Sequence, residues 1–335
     1  MRIGLALPHY SFSFPNHEPL TWSRLVDAAR RAERLGFDSV WMSDHFVWDL
    51  SRYGGPPELQ GTVEPFTALA GLAGVTERVR LGTLVAAAPF RHPAIVAKMA
   101  TTIDLASGGR FDLGVGSGWY EPDFTAFGYE YGTVGSRFSI LEETVAVIDG
   151  LFHREPFTFS GKHFTLRDAF NRPAPAQVGG PPIWVGGKGG PRLLRLAARH
   201  AAGWNTVWKW TPEAYGERIQ ELERAAKEEG REPASIRRTV GLYTLVGEDE
   251  GDLASRYRAM QRWTPGGGID AVDLGTWARD TLTGTVDHSL GRLRSFAEHG
   301  VEEMIVAPAS VPFAVFDWSE VELVADRLIG PARSL

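Results

Sequence analysis

The clearest chemistry in the sequence lies in a glycine run with one lysine, Gly186-Gly187-Lys188-Gly189-Gly190. The run begins with the last two residues of an apolar segment, 182–187, and ends just before a segment with helical spacing that starts at Pro191. Glycines let main-chain N–H groups approach an anion, and a helix N-terminus adds about half a positive charge. The pattern predicts a phosphate site, supplemented by Lys188 and Arg192. It matches neither a Walker loop nor a dinucleotide fingerprint, and a tight turn without a ligand is the open alternative.

The pair Asp44-His45 is the best candidate for acid–base chemistry. It directly follows a second apolar segment, 38–43. Histidine is the side chain suited to proton transfer near neutral pH. Because successive side chains of a strand point to opposite faces, we expect the two residues not to form a hydrogen-bonded pair with each other. A purely structural role for His45 is the alternative.

A second glycine pattern, Gly114-Val115-Gly116-Ser117-Gly118, falls within and after another apolar segment. Glycine inside a strand marks a bend or the close approach of a ligand. Taken alone, the pattern is explained equally well by the taper of a barrel interior.

Several other chemistries are excluded or lack a pattern. The chain has no cysteine, which removes disulfides, thiolate metal sites and cysteine nucleophiles. Its nine histidines are scattered without metal-ligand spacing, so we expect no metal site. No G-x-S-x-G nucleophile motif occurs. A pair of carboxylates from separate strands, as in glycoside hydrolases, stays open.

The elements that must position these residues alternate regularly along the chain. Apolar segments predict strands at 2–8, 38–43, 78–85, 111–116, 182–187, 203–207, 238–246 and 303–307. Helical spacing predicts helices at 22–35, 65–76, 93–106, 135–152, 191–201, 212–229, 251–262 and 286–299, and from about 319. Eight such units predict an α/β fold, a single (β/α)₈ TIM barrel over residues 1–335. Active sites of such barrels lie at the carboxyl ends of the strands, where the candidate residues fall.

Two stretches are too long for simple connections, 47–63 and 153–180. The second contains a predicted hairpin around Gly161-Lys162. Long insertions in compact domains often form lids or substrate walls, and surface decoration is the alternative for both.

Charge and hydropathy bound the partners. The 335 residues include 35 basic and 41 acidic side chains, a formal net charge of -6, which gives no general attraction to nucleic acid or anionic membranes. No apolar run approaches a membrane span, and the N-terminal apolar run is too short for a signal peptide. We therefore expect a cytoplasmic protein with a small-molecule substrate.

An ordered set of motifs, spread over residues 1–310, resembles the bacterial luciferase-like family of flavin-dependent oxidoreductases. The motifs are Asp38–Phe46 (DSVWMSDHF), 76–83 (TERVRLGT), 91–94 (RHPA), 107–111 (SGGRF) with 116–119 (GSGW), and 182–187 (PIWVGG) with 202–205 (AGWN). The Ser-Asp-His-Phe version is most similar to the branch that uses the deazaflavin coenzyme F-420. The resemblance implies a (β/α)₈ barrel with insertions, commonly a homodimer.

The resemblance also implies where a coenzyme lies. Its ring is expected over the end of the third strand, at Thr83, Leu84 and Val85, with a non-proline cis peptide between the last two. Its phosphate end is expected against Gly116, Ser117 and Gly118 and against the run of Gly186, Gly187, Lys188, Gly189 and Gly190. Asp44 is expected at the polar edge of the ring, and His45 near the reacting carbon.

The sequence departs from some F-420 dehydrogenases, which carry a glutamate proton donor after the fourth-strand glycines. Here Trp119 and Tyr120 stand there, which argues against a sugar-phosphate dehydrogenase. The hypothesis is an oxidoreductase that transfers a hydride between F-420 and an unidentified small organic substrate, with His45 as the catalytic residue. The main alternative is an FMN-dependent monooxygenase that uses molecular oxygen. A non-catalytic flavin-binding or scaffold barrel is a further one.

Overall fold

The computed structural model describes residues 1–55 and 57–335. The strands in chain order are β1 Arg2–Ala6, β2 Ser39–Met42, β3 Val47–Asp49, β4 Leu59–Gly61, β5 Arg80–Thr83, β6 Ala86–Ala87, β7 Phe111–Gly116, β8 Phe157–Ser160, β9 Thr165–Ala169, β10 Ile183–Gly186, β11 Gly203–Trp208, β12 Arg237–Gly247, β13 Leu282–Thr285 and β14 Glu303–Ala307. The helices are α1 Trp22–Leu35, α2 Pro65–Ala73, α3 Pro93–Ser107, α4 Glu121–Phe127, α5 Val134–His153, α6 Pro191–His200, α7 Pro212–Glu228, α8 Glu250–Trp263, α9 Leu274–Ala278, α10 Val286–Glu298, α11 Trp318–Val324 and α12 Gly330–Ala332.

Eight parallel strands close into a barrel in the order β1-β2-β5-β7-β10-β11-β12-β14, with β14 paired to β1. This confirms the predicted (β/α)₈ barrel. The barrel strands are mostly continuous apolar runs because both of their faces are buried, one inside the barrel and one under the helices. The sequence did not predict β3, β4, β6 or β13, and the last of these pairs with the carboxyl half of β12 outside the eight-strand path.

Helix starts and stops follow the local sequence signals. The Thr21 side chain accepts a hydrogen bond from the Arg24 N–H at the start of α1, and Gly36 ends that helix with a φ of 89°. Threonine and glycine are residue types that commonly begin and end helices in this way. At α2 the Glu64 carboxylate accepts hydrogen bonds from the N–H groups of Phe66 and Thr67.

The third barrel strand is shorter than the predicted 78–85, because β5 ends at Thr83. The Thr83 hydroxyl donates to the Gly114 carbonyl oxygen at 2.8 Å, and the Gly114 N–H donates to that hydroxyl at 2.9 Å. The Thr83 side chain thus replaces a main-chain hydrogen bond between the two strands. The chain then turns through a cis Leu84-Val85 peptide into β6. The expected cis peptide is therefore confirmed.

The two insertions occupy different places. In the first, 47–63, β3 and β4 form an antiparallel pair, and Pro56 lies outside the described residues. In the second, the predicted hairpin is present as β8 and β9, and Glu143 of α5 accepts hydrogen bonds from three consecutive N–H groups of its turn, residues 162–164. Over the described residues, the model contains no helix with both the length and the apolar character needed to cross a bilayer.

Candidate functional site

A cavity of about 970 Å³ opens at the carboxyl ends of the barrel strands. Its wall is mostly aromatic and apolar, and the acidic, basic and histidine side chains among the lining residues are Asp44, His45, Asp123, Lys188 and Lys209. The first insertion contributes Trp48, Tyr53 and Gly54 to the wall, whereas no lining residue comes from 153–180. The first insertion is therefore part of the site wall.

His45 lies on this wall and is held by a carboxylate that the sequence analysis missed. Its Nδ1 is 2.6 Å from Oδ2 of Asp123, at the start of α4. The other carboxylate oxygen accepts the N–H groups of Phe46 and Val47 at 2.8 and 3.0 Å. The Asp123 side chain is 2% exposed and that of His45 14%, so the pair is largely shielded from water. A buried carboxylate bonded to one ring nitrogen fixes the orientation of an imidazole.

Aromatic rings surround His45 on three sides. The ring centroids of Trp48, Tyr120 and Trp119 lie 4.5, 5.5 and 5.8 Å from that of His45, all in edge-on arrangements. These rings restrict His45 to one orientation and restrict the access of water to it.

Asp44 does not contact His45 through a hydrogen bond but pairs with Arg91. Its two oxygens accept hydrogen bonds from both terminal nitrogens of Arg91, at 2.6 and 2.9 Å, and from the Ala87 N–H at 2.9 Å. Arg91 also binds Glu64 at 2.7 Å. Asp44 lines the cavity, but this geometry uses its carboxylate to hold the loop after β5. Its predicted contact with a coenzyme stays a prediction.

The glycine run after β10 forms the tight strand-to-helix turn that the sequence predicted. Gly187 and Gly189 have φ values of 153° and 79°, and Gly190 is the residue that precedes α6. Gly186, Gly187, Lys188 and Gly190 line the cavity. Gly189 points away from it, because a Cβ there would lie 2.9 Å from the Trp204 ring.

The two cations predicted to supplement this loop have other partners. The Lys188 ammonium group donates to the Val207 carbonyl oxygen and lies 5.0 Å from the centre of the Trp210 ring. Arg192 forms a two-point ion pair with Glu142, at 2.7 and 2.5 Å. The expectation that Arg192 supplements the anion site is therefore wrong, since its guanidinium faces a carboxylate of α5.

The loop after β5 explains the glycines inside the strands. A Cβ at Gly116 or Gly186 would lie 2.7 or 2.6 Å from a methyl group of Val85, and a Cβ at Gly114 would lie 2.1 Å from the Thr83 carbonyl oxygen. The Val85 side chain thus occupies the space that Gly116 and Gly186 leave open. Val85 and Leu84 line the cavity, as do Gly116, Ser117 and Gly118. Thr83 is fully buried behind this wall, so its predicted contact with a coenzyme has no support from its position.

The far wall of the cavity comes from a segment that the sequence analysis did not assign to the site. Thr264, Gly268, Ile269, Val272 and Trp277 lie between α8 and β13 and line the cavity. A glycine cluster, Gly266-Gly267-Gly268, was the available signal. These glycines let the segment approach the first insertion backbone to backbone: a Cβ at Gly268 would lie 1.4 Å from the Tyr53 carbonyl oxygen.

A comparison of the sequence with protein families gives a match over nearly the whole chain. The family model described as "Luciferase-like monooxygenase" matches residues 1–329. The chain belongs to this family. It is accordingly a luciferase-like oxidoreductase, and the resemblance inferred from its motifs is confirmed.

Relatives of the chain have names that describe different reactions. The chain is 34% identical to the "F420-dependent glucose-6-phosphate dehydrogenase" of Microbacterium testaceum over 198 residues, which cover 59% of this chain and 56% of that protein. It is 33% identical to "Pyrimidine monooxygenase RutA" of Bradyrhizobium sp. over 281 residues, 81% of this chain and 71% of that protein. The first match spans little more than half of the relative.

A solved structure shows the same fold over the whole chain. This is an "F420-dependent secondary alcohol dehydrogenase in complex with an F420-acetone adduct", with a TM-score of 0.76 and 22% sequence identity. The alignment covers 99% of this chain and 98% of that one.

Proposed function

We propose that this luciferase-like oxidoreductase transfers a hydride between coenzyme F-420 and a small organic substrate, with His45 exchanging the accompanying proton. The observation that carries the proposal is the His45–Asp123 pair on the cavity wall, with an Nδ1–Oδ2 distance of 2.6 Å. Since Asp123 holds Nδ1, proton exchange with a substrate takes place at Nε2. A bound deazaflavin supplies or accepts the hydride.

The charges of the cavity wall fit an anionic coenzyme. Of the acidic lining residues, Asp44 is paired with Arg91 and Asp123 with His45. Lys188 adds positive charge, and Lys209 is paired with Asp280 at 3.9 Å. At the end of the glycine run, an added Cβ on Gly190 would meet no atom within 4 Å. This leaves open space beside the N-terminus of α6, where an anion is stabilised. Gly187, Gly190 and Lys188 would hold the phosphate end there.

The aromatic wall gives the second requirement of hydride transfer, the exclusion of water. Trp48, Trp119, Tyr120 and Phe313 line the cavity beside apolar residues such as Val85. A site of low polarity strengthens the electrostatic effect of the His45–Asp123 pair.

The names of relatives support F-420 for this chain, together with the Ser43-Asp44-His45-Phe46 motif. A second candidate, an FMN-dependent monooxygenase, is favoured by the longer match to the pyrimidine monooxygenase. The two differ in their need for oxygen, because a flavin activates oxygen and a deazaflavin transfers only a hydride.

Titration of the purified protein with F-420 and with FMN, each followed by absorbance, tests the choice. We expect tighter binding of F-420, and no oxygen consumption during turnover with the reduced coenzyme. Weak F-420 binding together with rapid oxygen consumption by reduced FMN would establish the monooxygenase instead.

The His45→Ala variant tests the proposed proton exchange. We expect turnover to fall by roughly 10²–10⁴-fold, the range for a lost general acid or base, with little change in coenzyme affinity. The matched control is His163→Ala, since His163 of the second insertion lies 2.9 Å from the Ser139 hydroxyl of α5 and does not line the cavity. Near-normal turnover of the His45 variant would contradict the proposed proton exchange and would show that His45 only forms part of the pocket wall.

We also propose that the protein works as a homodimer in the cytoplasm. Light scattering of the purified protein checks the first point, and a monomer at working concentration would contradict it. Cell fractionation checks the second.

A further inference from the structure

Four aromatic rings on one side of the cavity pack into a continuous wall. The Trp208 ring stacks on that of Tyr243, with a centroid distance of 5.7 Å, and meets the Phe313 ring edge-on at 5.2 Å. The Tyr243 centroid lies 5.5 Å from that of Trp277. All four residues line the cavity, and Trp208 is partly exposed, so part of it is accessible to a cavity ligand. These four residues are called the ring wall.

The closed barrel places the ring wall opposite the side where the coenzyme is expected. In the strand order, β12 lies four places from β5 and β14 lies four places from β7, so the strands of each pair face each other across the barrel. Tyr243 belongs to β12 and Phe313 follows β14, whereas Val85 follows β5 and Gly116 ends β7. With a coenzyme against Val85 and Gly116, the ring wall bounds the space that remains for the substrate.

Charge is nearly absent from this half of the cavity, over the part of the chain that the structure describes. Among the lining residues from β11 to the loop after β14, the one charged side chain is Lys209. Its ammonium group lies 3.9 Å from the Asp280 carboxylate and 5.2 Å from the centre of the Trp277 ring. The Lys209 side chain is 50% exposed, so water screens its charge. A carboxylate or phosphate held against the ring wall would therefore lose water without gaining a counter-ion, which is costly.

Polar side chains on this half of the cavity bond to one another or to the core. The hydroxyl oxygens of Thr264 and Ser310 lie 2.6 Å apart, and the Asn205 amide nitrogen donates to the buried Thr239 hydroxyl at 2.7 Å. Hydrogen bonds within the protein thus occupy these polar groups. Rings and aliphatic side chains form most of the surface that a substrate meets here.

We propose that the substrate is a neutral, mostly apolar compound with a ring, which packs against the ring wall, rather than a sugar phosphate or another anion. The inference rests on the proposed function, because the coenzyme must take the glycine side of the cavity for the ring wall to face the substrate. Flat apolar rings pack well on aromatic side chains, either offset-stacked or edge-on. The same wall gives an anion nothing in place of the water that it loses on binding.

Binding of acetophenone and of benzoate to the full-length protein with oxidised F-420 bound tests the inference. The two probes have the same ring and nearly the same shape, and they differ in charge. No hydride is exchanged, because the coenzyme and acetophenone are both oxidised. Saturating F-420 also fills the proposed phosphate site beside α6, so benzoate cannot bind there. From calorimetric titration we expect acetophenone to bind at least about tenfold more tightly than benzoate.

Val272→Lys adds a cation to this half of the cavity. Val272 lines the cavity and is partly exposed, so a lysine there can keep its ammonium group in water and leave the packed rings in place. We expect roughly tenfold tighter benzoate binding through a charge-assisted hydrogen bond, and a change of less than about twofold for acetophenone. The matched control is Val272→Met, which lengthens the side chain without a charge and should leave benzoate binding as in the parent protein.

Trp208→Leu removes one ring of the ring wall and gives an independent reading. We expect acetophenone to bind about two- to tenfold more weakly, the range for the loss of one aromatic contact. The matched control is Trp22→Leu, since Trp22 is exposed on α1 and does not line the cavity. Chemical denaturation shows whether each variant is folded, and the Val272 variants test the inference even if Trp208→Leu does not fold.

Equal affinity of the parent protein for benzoate and acetophenone would overturn the inference. So would benzoate binding to Val272→Lys no more tightly than to Val272→Met, or acetophenone binding to a folded Trp208→Leu as tightly as to the parent protein. Failure of F-420 to bind contradicts the proposed function instead. The same comparison with FMN bound then tests the ring wall alone.

Discussion

Replacement of Asp123 by asparagine separates the chemistry of the His45–Asp123 pair from its contribution to stability. We expect the asparagine oxygen to continue to accept hydrogen bonds from the N–H groups of Phe46 and Val47. In the opposite orientation the amide NH₂ group, which cannot accept, would face these two donors. The NH₂ group then faces His45 and donates to Nδ1. The proton of the neutral imidazole moves to Nε2, so His45 no longer accepts a proton from the cavity.

The structure sets the size of the two effects. Asp123 accepts three hydrogen bonds. Asp123→Asn keeps the two main-chain ones and replaces the bond between the carboxylate and His45 by a weaker amide bond, so we expect a loss of about 1 kcal/mol in the free energy of unfolding. Asp123→Ala loses all three, about 3 kcal/mol. Turnover in the direction in which His45 accepts a proton falls by roughly 10²–10⁴-fold in Asp123→Asn.

Three measurements check this. Chemical denaturation gives the stability, long-range ¹H–¹⁵N correlation spectra give the tautomer of His45, and steady-state rates with F-420 give the turnover. The matched control is Asp104→Asn, since Asp104 is a buried carboxylate that accepts from Gln177 and does not line the cavity. It is expected to lose stability but not turnover. A variant Asp123→Asn with the inverted tautomer and a normal rate would refute the assignment of the proton to His45.

Three further outcomes follow from the geometry. Gly190→Asp places a capping carboxylate at the start of α6, so we expect unchanged or higher stability but at least tenfold weaker coenzyme binding, measured against neutral Gly190→Ser; equal affinity of the two variants would exclude a phosphate there. Arg91→Leu leaves the buried Asp44 carboxylate without its partner and should cost about 3–5 kcal/mol in denaturation, and a loss below 1 kcal/mol would contradict the ion pair. Burial raises the pKa of Glu320 to about 8, above its unfolded value, so its stabilising contribution is complete below about pH 4.5 and is lost as the pH rises through 8. Glu320→Gln should therefore flatten the decline of stability between pH 5 and 8, and an unchanged slope would show that another group titrates.

The barrel and much of its local detail could be predicted from the sequence, because their causes are local. The apolar strand runs follow from burial on both faces, and the start and end of α1 follow from Thr21 and Gly36. The glycine turn before α6 follows from the φ values that only glycine adopts easily. The position of His45 at a strand end was predicted from the short apolar segment, 38–43, that precedes it.

Tertiary structure alone decided how these residues work. Asp123 reaches His45 across 78 residues, and Arg91 reaches Asp44 across 47, so neither pair has a signature in the neighbouring sequence. Asp123 in particular lies in the first turn of a short helix, where an acidic residue is explained by the helix dipole alone. The glycines of β7 and β10 indicated only a close approach, and the fold identified the approaching groups as the Thr83 carbonyl oxygen and the Val85 side chain. Barrel closure brings strand ends that are far apart in the chain around one cavity. The sequence therefore predicted which residue types lie at the site, but it could not predict which residues pair with them.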